Sequence, residues 1–129
     1  MNTATASRPS KRIYLVEDSE LIRERLLAYI NNIPGISVIG QTDNAGDAIE
    51  GILSSHPDAV VLDLGLKNSS GIAVLRAAKQ WMPDTKVIVL TNYATASHRR
   101  KCMEAGAEYF LDKTNEFQSV RGILEQLTI

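Results

Sequence analysis

Residues 59–65 read Ala-Val-Val-Leu-Asp-Leu-Gly, and this stretch decides the fold class. The four apolar residues Ala59–Leu62 show no polar alternation, which is typical of a strand buried on both faces of a parallel sheet. The strand ends at a charged residue, Asp63, and a loop is predicted from Gly65 to Gly71. The stretch therefore predicts a buried strand of a parallel sheet with a carboxylate directly after its last residue.

Comparable apolar runs occur on both sides of this stretch and predict five strands. They are Ile13–Val16, Ile36–Gln41, Ala59–Leu62, Lys86–Leu90 and Tyr109–Leu111. Apolar residues at three- and four-residue steps predict a helix after each strand. Five alternating strand–helix units with right-handed crossovers predict a doubly wound α/β sandwich of three layers around a parallel sheet.

The predicted helices carry their own signals. Ser19, Asn44 and Asn115 can cap the first, second and last helix. Trp81 and Met82 fall on the apolar face of the third helix, so both are expected in the core.

Composition restricts the class of protein. The chain has 129 residues, is 44% hydrophobic and carries a formal net charge of -1, so bulk charge gives no reason to expect nucleic-acid or membrane binding. We expect a flexible tail over residues 1–11 and one domain over residues 12–129, although the tail's composition leaves a cleaved transit peptide open. A lone Cys102 cannot form an internal disulfide, and with no membrane-spanning apolar run a cytoplasmic location is expected.

Polar residues follow four of the five predicted strands directly. Glu17 and Asp18 follow the first, Asp63 the third, Thr91 the fourth and Lys113 the fifth. In an open parallel sheet these strand ends share one edge, where ligands bind. Three carboxylates close together repel unless a hard cation such as Mg²⁺ neutralises them. With a lysine and a hydroxyl, the set indicates phosphoryl transfer, although each acid alone could simply cap a helix.

The two histidines do not join this set. His56 precedes a proline turn, and His98 opens a basic segment through Lys101. Both are expected at the surface rather than as metal ligands. The basic segment is either a docking patch for a partner or an ordinary solvated face.

Four segments of the chain resemble the receiver domain of bacterial response regulators, and the resemblance extends from Lys11 to about Leu127. The segments are Ile13–Asp18, Val60–Leu64 with Gly71, Val87–Thr91 and Gly106–Lys113. The resemblance implies a flavodoxin-like sheet in the strand order 2-1-3-4-5.

The same resemblance implies a role for each site residue. Asp63 is expected to accept the phosphoryl group. Lys113 is expected to contact it, and Thr91 and Phe110 are expected to act as the switch. The Mg²⁺ ligands are expected to be Glu17, Asp18, Asp63 and the backbone carbonyl of Gly65.

Four residues depart from the usual receiver pattern. Glu17 makes the acidic pair Glu-Asp where many receivers have Asp-Asp, a common and tolerated variant. Asn92 replaces a small alanine after Thr91 and could restrict access to Asp63. Thr114 replaces a proline after Lys113, so the Lys113–Thr114 bond is expected to be trans. Lys67 stands where the loop after the acceptor often has proline. None of these departures removes a chemical group of the site.

The expected function is a phosphorylation-activated response-regulator receiver. A histidine kinase or phosphotransfer protein would phosphorylate Asp63, and the face formed by the fourth helix, fifth strand and fifth helix would change and could form a homodimer. The domain would not be a conventional enzyme, although it would promote its own phosphorylation and dephosphorylation. It would reach nucleic acid only through a separate output domain. The alternatives are a Mg²⁺-dependent phosphohydrolase and an interaction module that is never phosphorylated.

Overall fold

The structure is a computed structural model, and it describes residues 10–127. Residues 1–9 of the predicted tail and the last two residues of the predicted domain lie outside this range. Lys11, the last residue assigned to the tail, begins the first strand.

Five parallel strands form the central sheet, in the order β2-β1-β3-β4-β5. The strands are β1 Lys11–Val16, β2 Ile36–Thr42, β3 Ala59–Leu62, β4 Lys86–Thr91 and β5 Tyr109–Asp112. The predicted flavodoxin-like fold and strand order are confirmed.

Helices cover both faces of the sheet. They are α1 Glu20–Asn31, α2 Ala45–Ser55, α3 Gly71–Trp81, α4 Ala96–Glu104 and α5 Ser119–Gln126. Helices α1 and α5 pack on one face and α2, α3 and α4 on the other, which gives two apolar cores. Every residue of β3 is buried, and burying one such aliphatic side chain contributes about 1.5–3 kcal/mol.

Two of the predicted helix caps are confirmed. The Ser19 side chain accepts a hydrogen bond from the Ile22 N–H (3.3 Å), and Asn44 Oδ1 accepts one from the Asp47 N–H (2.9 Å). These bonds satisfy free donors in the first turns of α1 and α2.

The third predicted cap is wrong, because Asn115 does not begin the last helix. That helix starts at Ser119, and Gln118 precedes it without a side-chain cap. Instead, the Asp112 carboxylate accepts hydrogen bonds from the Thr114 N–H and the Asn115 side chain. These local bonds fold residues 113–118 into a turn, as short polar side chains often do in competition with a helix.

Trp81 also departs from expectation. It is 65% exposed rather than buried, while Met82 packs partly against the core. Trp81 is the last residue of α3 and lies at the amino-terminal edge of the sheet, beside Pro57 and Asp84. Periodicity gives the direction in which a side chain points, but not whether the sheet extends far enough to cover it.

The predicted loop after Asp63 contains a small hairpin. Gly65–Leu66 pairs with Ser69–Ser70 in antiparallel fashion. Asn68 at its turn has φ of 51°, which asparagine tolerates better than most residues. The hairpin is fixed to the end of β2 because the Lys67 N–H donates to the Asp43 carbonyl (3.2 Å).

Candidate functional site

The ends of β1 and β3 lie side by side. Val16 pairs with Leu62, and the Asp63 N–H donates to the Val16 carbonyl (3.0 Å). Carboxylate oxygens of Glu17, Asp18 and Asp63 consequently lie within 4.8 Å of one another. Glu17 and Asp63 are buried, whereas Asp18 is exposed. The carboxylates that the sequence placed at one edge are thus brought together.

Lys113 joins this cluster from the turn that follows β5. Its ammonium donates to Glu17 Oε1 (2.7 Å) and to Asp63 Oδ2 (2.8 Å). Its backbone N–H donates to the Thr91 carbonyl (2.9 Å), which fixes the turn that carries it. One cation therefore links two carboxylates from different strands.

The pKa values of two groups in this cluster, Glu17 and Lys113, differ from their usual values. Burial raises the pKa of the Glu17 carboxyl, although the hydrogen bond and charge of Lys113 oppose the shift. Burial alone would lower the pKa of the Lys113 ammonium, but its bonds to Asp63 and Glu17 outweigh that effect and raise it. Lys113 therefore stays charged at neutral pH, where it offsets part of the repulsion between the carboxylates.

The cluster fits a divalent cation. It offers three carboxylate groups, two of them buried and one open to solvent, and hard cations prefer oxygen ligands of this kind. A single lysine leaves the three carboxylates with an excess of negative charge.

The sequence did not reveal which residues hold Glu17 in place. Its Oε2 accepts from the Ser19 N–H (3.1 Å), and its backbone carbonyl accepts from Arg23 Nη1 (2.8 Å). Arg23 lies in the first turns of α1, six residues after Glu17, and no sequence signal distinguished it from an ordinary surface arginine.

Gly71 allows the chain to pass close behind Asp63. A Cβ at this position would collide with the Asp63 carbonyl oxygen and lie 2.6 Å from the Leu64 Cα. Both contacts are with backbone, which cannot swing aside. The spacing of eight residues between Asp63 and this glycine therefore reflects a steric requirement.

Thr91 ends β4 with a fully buried side chain. Its Oγ1 accepts a hydrogen bond from the Tyr93 N–H (3.1 Å). The hydroxyl is thus bound within its own loop and not to a carboxylate of the cluster.

The Phe110 ring is buried within β5. The guanidinium of Arg99, in α4, lies over this ring at 5.3 Å from its centroid, and Arg99 Nη2 donates to the Phe110 carbonyl (3.2 Å). Arg99 was expected only as part of a basic segment, and the structure gives it a specific aromatic partner.

Two of the departures from the receiver pattern contact each other. Thr114 Oγ1 donates to Asn92 Oδ1 (3.4 Å), and every peptide bond in residues 10–127 is trans, including Lys113–Thr114. Both residues border a groove of about 560 Å³ beside Lys113, whose other lining residues are Ile22, Arg25, Tyr29 and Phe117. Lys67 is 65% exposed and forms a loose ion pair with Asp43 (3.6 Å).

The two histidines lie outside the carboxylate cluster. His56 is exposed and follows α2 with φ of 50°. His98 is half-buried in the first turn of α4, where its Nδ1 is 2.7 Å from Thr95 Oγ1.

A buried carboxylate flanked by two acids and a lysine, at the carboxyl edge of a doubly wound sheet, has the groups that phosphoryl transfer requires. The family model of the response regulator receiver domain matches residues 13–125. The chain belongs to this family, and the resemblance noted in its sequence is confirmed.

Individual relatives agree with this assignment. The transcriptional regulatory protein LiaR of Bacillus subtilis is 30% identical over 105 residues, which cover 81% of this chain and 50% of LiaR. A protein-glutamate methylesterase/protein-glutamine glutaminase of Treponema pallidum is 31% identical over 103 residues, covering 78% of this chain and 26% of that protein. This chain spans about half the length of the regulators it matches.

Solved structures show the same architecture. A two-component response regulator of the LuxR family from Aurantimonas has a TM-score of 0.79 at 30% identity, over 90% of this chain and 86% of the other. The response regulator domain of Thermotoga maritima CheB has a TM-score of 0.79 at 25% identity, over 91% and 92%. In residues 10–127 no helix has the length and apolar character needed to cross a bilayer.

Proposed function

We propose that Asp63 accepts a phosphoryl group from a phosphohistidine of a histidine kinase or phosphotransfer protein. The observation that carries this role is the Lys113 ammonium, which bonds both Asp63 and Glu17 within a cluster of three carboxylates. An anionic phosphoryl group arriving at Asp63 needs a fixed positive charge close to the acceptor oxygen. The family of the chain supports the same assignment.

In the proposed reaction, an Asp63 carboxylate oxygen attacks phosphorus and the phosphorus–nitrogen bond of the phosphohistidine breaks. The bond pair leaves with the imidazole nitrogen, and Asp63 becomes an acyl phosphate. Lys113 stays protonated and compensates for the added charge. Glu17, Asp18, Asp63 and the Gly65 carbonyl would hold Mg²⁺, which would supply further charge neutralisation. The domain promotes this transfer and the later hydrolysis of the acyl phosphate to aspartate and inorganic phosphate, and is not a conventional enzyme.

The donor is proposed to approach through the groove beside Lys113. Its wall combines the apolar side chains of Ile22, Tyr29 and Phe117 with a cation, Arg25. Such a surface suits a protein partner, because apolar contact supplies affinity while charge fixes orientation.

Phosphorylation is proposed to act on the face formed by α4, β5 and α5. Thr91 would turn toward the phosphoryl group and Phe110, packed under Arg99, would transmit the change. Homodimers through this face, a cytoplasmic location and an output through a separate DNA-binding domain are all part of this proposal. The transcriptional regulators among the relatives favour that output.

The test is incubation with acetyl phosphate and Mg²⁺, followed by mass spectrometry of the intact protein. We expect a gain of one phosphoryl group that is lost in Asp63→Asn and kept in Asp84→Asn, a control at the opposite edge of the sheet. Release of many equivalents of phosphate from a phosphomonoester, which is not an acyl phosphate, would instead indicate a phosphohydrolase. No mass gain in the wild type would indicate an interaction module.

A further inference from the structure

The turn that carries Lys113 is built around one carboxylate, that of Asp112, the last residue of β5. Asp112 Oδ1 accepts a hydrogen bond from the Thr114 N–H (2.9 Å), and Oδ2 accepts one from the Asn115 side-chain amide (3.0 Å). The Asp112 N–H donates to Glu116 Oε1 (2.9 Å), and its carbonyl accepts from the Glu116 N–H (2.7 Å). Every polar atom of Asp112 is thus bonded within the four residues that follow it.

These bonds place Lys113 between two fixed points of the backbone. On one side, its own N–H donates to the carbonyl of Thr91 (2.9 Å), which pairs with Asp112 across the sheet. On the other side, the Thr114 N–H is held by the Asp112 carboxylate. A lysine side chain is a flexible four-carbon stem, so the position of its ammonium depends on how firmly the backbone beneath it is held. The bonds of the ammonium to the carboxylate cluster, 2.7 Å and 2.8 Å long, therefore depend on this turn.

The bond from Asp112 to residue 114 requires a backbone donor. Thr114 supplies this N–H, whereas the proline that is usual at this position in receivers has none. The departure from the receiver pattern at residue 114 is therefore matched by a side chain that uses the donor it creates.

Asp112 forms no ion pair with the ammonium that it helps to place. Within residues 10–127, the ion-pair partners of Lys113 are Glu17 and Asp63. Both oxygens of the Asp112 carboxylate are instead used in the turn. Its effect on the site consequently passes through the backbone and not through direct contact with the charge.

We propose that Asp112 is a positioning residue for the phosphorylation of Asp63, and that it acts through the turn to hold the Lys113 ammonium at the acceptor carboxylate. This inference rests on the proposed phosphorylation of Asp63. With acetyl phosphate as donor, an Asp63 oxygen attacks phosphorus, the bond from phosphorus to the acetyl oxygen breaks, and acetate leaves with the bond pair. Lys113 stays protonated and compensates for the charge of the phosphoryl group. Misplacement of such a group by about 1 Å can slow a reaction about a hundredfold.

A purely structural role for Asp112 leads to different expectations. If its carboxylate only stabilised the segment that leads to α5, its loss would lower the stability of the fold without slowing the molecules that remain folded. A positioning role slows the folded molecules, and does so only while Lys113 is present.

The first measurement is the initial rate of phosphoryl gain, followed by intact mass of the full chain with acetyl phosphate and Mg²⁺. Urea unfolding under the same conditions establishes that each variant is folded. We expect Asp112→Ala to slow the rate by about tenfold. Asp112→Asn should stay within about threefold of wild type, because its amide oxygen still accepts the Thr114 N–H. In a Lys113→Met background, Asp112→Ala should change the remaining rate by less than about twofold.

The matched control is Asp58→Ala at the opposite edge of the sheet. Asp58 also uses its carboxylate to bind a backbone donor, since its Oδ2 accepts from the Arg12 N–H (2.8 Å). Its removal should lower the stability of the fold but leave the rate of phosphoryl gain unchanged.

The second measurement follows Lys113 itself and needs no phosphorylation. The nitrogen NMR signal of its ammonium is assigned by its absence in Lys113→Met, and its protons exchange slowly with water while the ion pairs hold the group. We expect this exchange to be about tenfold faster in Asp112→Ala, and unchanged in Asp58→Ala.

Each outcome has a single consequence. If Asp112→Ala gains a phosphoryl group within twofold of the wild-type rate, or slows the reaction equally with and without Lys113, this inference is overturned while the proposed function stands. An unchanged ammonium signal in folded Asp112→Ala overturns it as well. If Asp112→Ala does not fold, Asn115→Ala removes one of the two carboxylate bonds instead; a rate about threefold lower supports the inference, and an unchanged rate overturns it. If wild-type protein gains no phosphoryl group, the proposed function fails and this inference fails with it.

Discussion

Glu17 is the residue through which pH acts on the site. Its pKa is raised in the folded chain, chiefly by burial, so the fold binds a proton on Glu17 more tightly than the unfolded chain does. The resulting contribution to stability is fully present below the unfolded pKa and is lost as pH rises through the folded pKa. The same proton competes with a cation, because metal ligands must be deprotonated.

We therefore predict that Mg²⁺ binding weakens as pH falls, beginning above the usual pKa of a glutamate. The limiting loss for one displaced proton is about tenfold in affinity per pH unit. Titration calorimetry of the wild type between neutral pH and pH 5 measures this loss. Glu17→Gln should bind Mg²⁺ more weakly at neutral pH and lose less on acidification. Identical pH profiles for the two proteins would contradict the assignment.

Removal of Lys113 should destabilise the fold in the absence of metal. Lys113→Met leaves Glu17 and Asp63 facing each other without their cation. Removing one partner of such a buried ion pair typically lowers the free energy of unfolding by 3–5 kcal/mol. Because the exposed Asp18 leaves one side of this cluster open to solvent, we expect a loss of about 3 kcal/mol here. Urea unfolding at neutral pH in chelator measures the change. Adding Asp63→Asn to Lys113→Met should restore part of the lost free energy of unfolding. If the effects of the two substitutions on that free energy were strictly additive, the ion pair between Lys113 and Asp63 would not contribute to stability.

At the scale of elements, β1 and α2 are joined by one aromatic side chain that two glycines accommodate. The Tyr14 ring lies against Gly40 of β2 and Gly51 of α2, where a Cβ on Gly51 would overlap the Tyr14 hydroxyl and lie 2.7 Å from Cζ. Tyr14 is only 7% exposed, so its ring has little room to move. Packing thus overrides helix propensity at Gly51, where alanine would otherwise be preferred.

We predict that Gly51→Ala destabilises the fold by about 1–3 kcal/mol, the usual cost of overpacking. In a Tyr14→Val background the same change should instead be neutral or stabilising, by up to about 1 kcal/mol. Gly122→Ala in α5 is the matched control, because no atom lies within 4 Å of its Cβ position, and it should stabilise. Thermal or urea unfolding of Gly51→Ala, Tyr14→Val, the double variant and Gly122→Ala measures these changes in stability. A destabilising Gly51→Ala in both backgrounds would rule out the contact with Tyr14.

Sequence patterns sufficed for features that depend on a single strand and the residue after it. The predicted strand Ala59–Leu62 matches β3 in full, and Asp63 follows it as expected. They were insufficient where two possible partners compete for one residue, or where the surroundings of a residue come from distant segments. Asn115 bonds to Asp112 instead of capping a helix, and the exposure of Trp81 depends on where the sheet ends. The role of Arg99 was missed for the same reason, since its partner, Phe110, lies in another element.

At the scale of the whole molecule, the helices are not held equally firmly. Helix α4 buries a single residue, Cys102, whereas α3 buries Gly71, Val74, Leu75 and Ala78. Arg99 adds a contact with Phe110 that ties α4 to the edge strand β5. Elements with few buried apolar contacts open at lower free energy than the rest of a domain. Helix α4 is therefore expected to open before the central sheet, which suits an element of the proposed switch face.

Cys102 provides a direct measure of that opening, because it is the single cysteine of the chain and is fully buried. We predict that a thiol reagent labels Cys102 much faster than global unfolding allows, because local separation of α4 from the sheet suffices. Arg99→Ala removes a cation–π contact and a hydrogen bond worth together about 1 kcal/mol, so labelling should accelerate about fivefold. Arg100→Ala, an exposed arginine on the same helix, should leave the rate unchanged. If labelling of the wild type followed the global unfolding rate, or Arg100→Ala had the same effect as Arg99→Ala, α4 would not be an independently opening element.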